Sequence, residues 1–142
     1  MVAEALSDRS AKDTKSAVIN QTLTTPGAGA STTFEVIPLV AGKRIVVTNV
    51  NHMHIHAAFG SGDSTIGIIF KSASTALTGD IRFANIEADE GEEMTINTSY
   101  MPDGHFKTAA GEALNATIND HRGSGGATGN VFIRGYVNYY EE

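Results

Sequence analysis

His52, His54 and His56 stand at alternate positions in the stretch Lys43 to Phe59. Imidazole nitrogen is a common metal ligand. Alternate residues of a β-strand share one face, so neighbouring rings could meet at one ion. His52 and His56 lie about 13 Å apart along an extended strand. All three reach the same ion only if the chain bends, and a full site needs a further ligand such as His105, His121 or a carboxylate. A site of this kind suits a structural role at a subunit junction. The same pattern also suits a partly polar strand face, or a face packed against a neighbouring subunit.

Other clusters point less clearly to chemistry. Glu87, Asp89, Glu90, Glu92 and Glu93 surround Gly91. Their spacing departs from the Asp-x-Asp-x-Asp-Gly pattern of a calcium loop, so a solvated turn is expected. Gly123 to Gly129 is rich in glycine but lacks the Lys-Ser/Thr ending of a phosphate loop, which makes it a surface loop. Cysteine is absent and no Gly-x-Ser-x-Gly elbow occurs, so thiol chemistry is excluded and nothing marks a nucleophile. The expectation is a protein that is not an enzyme and carries no cofactor.

The 142 residues suit one domain, and the formal net charge is −6. An acidic chain binds phosphate backbones poorly, and Lys43-Arg44 is the only adjacent Lys/Arg pair. No nucleic-acid partner is expected. No apolar run nears the roughly 20 residues that cross a bilayer, and Met1 to Lys15 has mixed charge without an apolar core, so neither a membrane span nor a signal peptide is expected.

The elements that must hold these residues follow from a period of two. Ala17, Ile19 and Leu23 alternate with polar residues, as do Phe34 and Val36, then Ile66, Ile68 and Phe70, then Leu114, Ala116 and Ile118. Val131, Ile133, Val137 and Tyr139 share one face of a final strand; Phe132, Arg134, Tyr136 and Tyr140 share the other. Lys43 to Phe59 is too long for one strand of a small domain, at roughly 50 Å. A bend or bulge near Asn49 to Asn51 is expected, where the chain could pass between sheets. Eight or nine short strands joined by Gly-rich turns predict an all-β fold, a β-sandwich of jelly-roll type spanning 17–142, preceded by an arm at 1–16 that is mobile or ordered by a partner. Tyr136, Tyr139 and Tyr140 are expected either to cover a partner or to pack within the domain.

Leu39-Val40-Ala41-Gly42-Lys43-Arg44-Ile45, Leu77-Thr78-Gly79, Thr108-Ala109-Ala110-Gly111-Glu112-Ala113-Leu114 and the closing Gly135-Tyr136-Val137-Asn138-Tyr139-Tyr140 together resemble small head decoration (cement) proteins of tailed bacteriophages. The resemblance spans roughly Ala17 to Tyr140, and the triple-His run departs from it. It implies a jelly-roll sandwich that forms a homotrimer, binds the major capsid protein on the outer capsid surface and stabilises the head. Capsid or subunit contacts are then expected from Val2, Leu6, Arg9 and Lys12 of the arm and from Tyr136, Tyr139 and Tyr140. Two alternatives stay open: a tail, baseplate or head-fibre subunit, and a soluble glycan- or metal-binding sandwich.

Overall fold

The computed structural model describes residues 13–24, 31–58, 66–83, 92–121 and 130–142. The proposed arm contacts Val2, Leu6, Arg9 and Lys12, the acidic residues Glu87, Asp89 and Glu90, and the Gly123–Gly129 loop lie outside them. The described chain is made of strands: β1 Lys15–Thr24, β2 Ser31–Ile37, β3 Ile45–Ala58, β4 Ile66–Ser72, β5 Thr75–Ala76, β6 Ile81–Phe83, β7 Glu92–Ile96, β8 Phe106–Lys107, β9 Leu114–Asp120 and β10 Asn130–Glu141. One sheet runs β1-β10-β3-β7, with β8 also on β3; the other runs β2-β9-β4-β5, with β6 also on β4.

All pairs are antiparallel, and they nest. The first strand pairs with the last, β2 with β9, β3 with β7 and β8, and β4 with β5 and β6. This is one long antiparallel ribbon rolled up, so that β10 lands beside β3 and β9 beside β4. Taking β5 with β6 and β7 with β8 as single positions, the result is two four-stranded sheets in jelly-roll order.

Alternation explains the core. Ile19, Ile45, Val47, Val50, Met53, Ile55, Val131, Ile133 and Val137 point inward from the first sheet; Ile37, Ile66, Ile68, Phe70, Leu114, Ala116 and Ile118 point inward from the second. These β-branched and aromatic side chains fit the half-buried pleat and exclude water between the layers.

β3 departs from expectation. It is one strand of 14 residues and stays in the first sheet along its whole length, beside β10. The chain does not change sheets. The expected bulging is there, on both sides of Asn49 to Asn51: Thr48 lies between the pairs Val47–Tyr139 and Asn49–Asn138, and His52 with Met53 opposes the single residue Gly135. The Thr48 hydroxyl donates to the carbonyl of Asn138 at 3.0 Å. His52 adopts φ +45°, a region that non-glycine residues seldom occupy, and its backbone N–H is held by Asn97 Oδ1 at 2.6 Å. Each extra residue turns the following side chains to the opposite face. The second restores what the first reversed, so Met53 and Ile55 face the core like Ile45 and Val47, while His54 and His56 face out.

Candidate binding surface

The outer face of the first sheet gathers the histidines. Register places His54 opposite Arg134 and His56 opposite Phe132 on β10, and Tyr136 opposite Val18 on β1. The His56 and Phe132 rings lie 5.9 Å apart at 41°. Two shallow depressions adjoin one another here: one of about 260 Å³ is lined by His54, His56, Phe132 and Arg134. The other, of about 370 Å³, is lined by Val18, Asn20, His52, His54, Arg134, Gly135 and Tyr136. Val18 is 69 % exposed and Tyr136 48 %. The surface thus combines a guanidinium, imidazoles, an aromatic ring and an aliphatic side chain, which can meet a polypeptide or a sugar by stacking and hydrogen bonding.

The other expected ligands sit elsewhere. The His105 ring donates to the carbonyl of Ser99 at 2.7 Å, beside β8. His121 follows β9 in the second sheet and meets Asp80 Oδ2 at 2.6 Å. Among the described residues, no three His, Asp or Glu side chains are grouped to hold one ion.

The three tyrosines take different places. Tyr136 is exposed on the outer face. Tyr139 is half-buried against the core. Tyr140 is 4 % exposed and lies opposite Val46, itself 1 % exposed, although both point away from the core. The loop before β8 covers this end of the outer face. Gly104, with φ +85°, passes so close that an added Cβ would lie 2.4 Å from Val46 Cγ1.

Arg134, Val18 and Asn20 were not singled out for function from the sequence. Alternation puts Arg134 and Tyr136 on one face of the last strand, which was a usable signal. Joining that face to the histidines required knowing that β10 lies between β1 and β3.

A second polar cluster lies on the other sheet. Asp80 Oδ2 accepts from Arg82 Nε at 2.9 Å as well as from His121, and the carboxyl group lies over Gly67, where a Cβ would fall 1.9 Å from Oδ1. Burial works to raise the Asp80 pKa, but the bonds from Arg82 and His121 outweigh it and hold the carboxyl below the usual range. A carboxyl with a depressed folded pKa stabilises the fold above its unfolded pKa, and that contribution fades as pH falls through the folded value. We therefore expect wild type to lose stability below about pH 4 more steeply than Asp80→Asn. Chemical denaturation across pH 2–7 checks this, and parallel acid limbs would show that the cluster is not coupled to folding.

No protein-family model matches the chain, and no curated protein matches it. Similar solved structures do exist. The Gt strain of infectious bursal disease virus matches with a TM-score of 0.52 at 12 % identity, over 90 % of this chain and 32 % of the other. The T13 particle of the same virus matches at 0.53 and 12 %, over 90 % and 31 %. Its subviral particle matches at 0.52 and 11 %, over 90 % and 33 %. The chain shares its fold with these virus-particle proteins. It spans about a third of the length of each matched chain, and at this identity the likeness concerns the fold alone.

Proposed function

We propose that this protein is a structural subunit of a virus particle, a phage decoration (cement) protein that binds the outer capsid surface and stabilises the head as a trimer. The observation that carries the reading is the rolled-ribbon sandwich fold, in which a virus-particle protein is similar over nine-tenths of this chain's length. The resemblance of its sequence motifs to those of head decoration proteins supports the finer reading. Threefold linkage makes the later contacts of each clamp effectively intramolecular, so weak individual contacts hold firmly together.

Particles purified with and without the protein test the proposal. We expect immunogold label on heads rather than tails, and heads that lose their DNA at lower temperature when the protein is missing. Label confined to the tail would move the subunit to the tail or baseplate. A soluble glycan-binding sandwich is the second reading, favoured by Tyr136 and Arg134 beside an open depression; glycan-array binding without particle attachment would support it.

A further inference from the structure

Each sheet ends in edge strands, and an open edge offers a row of backbone N–H and C=O groups to any passing strand. Most of the edges here are blunted. β2 carries Glu35, shifts register between Glu35 and Ile37, and is followed by Pro38. β5, β6 and β8 are two or three residues long. β7 has five residues, beginning Glu92-Glu93.

β1 has none of these devices. It runs ten residues, Lys-Ser-Ala-Val-Ile-Asn-Gln-Thr-Leu-Thr, without proline, glycine or bulge, and pairs with β10 in one unbroken register. Among the described residues it has no other strand neighbour. Its core-facing residues Ala17 and Leu23 are only partly covered, and Val18 on its outer face is largely exposed beside Tyr136.

We infer that the free edge of β1 pairs with β1 of a second copy, antiparallel about a twofold axis at Asn20, which sets Ala17 of each copy opposite Leu23 of the other. The strand suits itself. Its single charge, Lys15, lies at one end and is matched within the same chain by Glu141 at 3.1 Å. Antiparallel pairing would set the two Lys15 residues ~30 Å apart, at ~3.4 Å per residue, so no like charges oppose. Alternation is preserved, so the Ala17, Ile19 and Leu23 row of one copy would continue into that of the other and cover the half-buried ends. A twofold contact closes on itself, which uses the edge without building a fibre. It leaves other surfaces free for a threefold contact, and would then tie one trimer to the next. The inference does not depend on a capsid location.

The lack of cysteine makes the test clean. Ser16→Cys, Val18→Cys, Asn20→Cys and Thr22→Cys each place one thiol on the exposed outer face of β1, and Thr95→Cys places one on β7 at the opposite edge. Under mild oxidation we expect a linked pair from a position near the strand centre, where antiparallel Cα atoms approach within disulfide range, and none from Thr95→Cys. In sedimentation across a concentration series, Asn20→Lys should weaken self-association roughly tenfold, because the two new charges oppose one another at the axis. Melting temperature confirms that each variant is folded. Linkage from none of the β1 positions, or equal linkage from Thr95→Cys, overturns the inference. So does a wild-type mass with an odd number of chains and unprotected β1 amides. Protection of those amides only on adding another protein would assign the edge to a foreign strand instead.

Discussion

Gly135→Ala is expected to destabilise the fold by about 3 kcal/mol, at the high end of the cost of overpacking a well-filled site. For a chain of this size that lowers the melting temperature by about 10 °C. The reason is the second bulge of β3. Gly135 faces the two residues His52 and Met53, and an added Cβ would lie 2.6 Å from Met53 Cα and 2.9 Å from the His52 carbonyl oxygen. These are backbone atoms, so no side-chain rotation relieves the clash. The bulge or the β3–β10 ladder must shift, and with it the positions of His52, His54 and Arg134. Gly79→Ala is the control: its Cβ would meet nothing within 4 Å, and a change within about 1 kcal/mol is expected there. Urea unfolding compares the two, with midpoints shifting at constant slope. Equal stability of Gly135→Ala and wild type would mean that β3 is not bulged at this site.

Phe70→Ala should cost more, about 3–5 kcal/mol, a large part of the 5–15 kcal/mol that holds a typical domain together. Phe70 is 1 % exposed. Its ring stacks on Phe106 with centroids 5.2 Å apart, which joins β4 of the second sheet to β8 of the first. Truncation removes transfer energy and leaves a void between layers whose strands are held by their ladders, so collapse around it is limited. Phe70→Leu keeps most of the volume and is expected to cost less than half as much. A loss below about 1 kcal/mol for Phe70→Ala would contradict the packing of the two sheets at this end.

Much of the architecture was legible in single segments. Ile66, Ile68 and Phe70 alternate cleanly, as do Leu114, Ala116 and Ile118, and these strands lie where the pattern puts them. The two-sheet arrangement followed from strand number and turn spacing. Lys43 to Phe59 was harder. Thr48, Asn49, Asn51 and His52 are all polar residues that tolerate a bulge, so the sequence marks the region but not the two places where the extra residues fall. Length suggested a change of sheet; pairing with β10 on one side, and with β7 and β8 on the other, keeps β3 in place. Tyr140 shows a different limit. Its alternation points it outward, yet it is buried beside Val46, which the loop before β8 approaches at Gly104, and contacts between segments so far apart in the chain leave no local pattern. The Asp80, Arg82 and His121 cluster was missed for the same reason, since β9 and the turn before β6 meet only in the folded sheet.

The two bulges of β3 also set the rules by which this strand can change. Losing a regularly paired residue such as Ile55 would work like a frameshift in the side-chain code: His56, meant for water, would be read into the core. Losing Thr48 would instead flatten the first bulge and leave the reading intact, because Val47 and Asn49 would still meet Tyr139 and Asn138. Losing His52 would flatten the second bulge in the same way, since Asn51 and His54 would keep Tyr136 and Arg134 as partners and Met53 alone would face Gly135. Single-residue deletions should therefore be tolerated at the two bulges, and elsewhere in β3 only in compensating pairs. The loops tolerate them singly, because nothing downstream in a loop depends on the count.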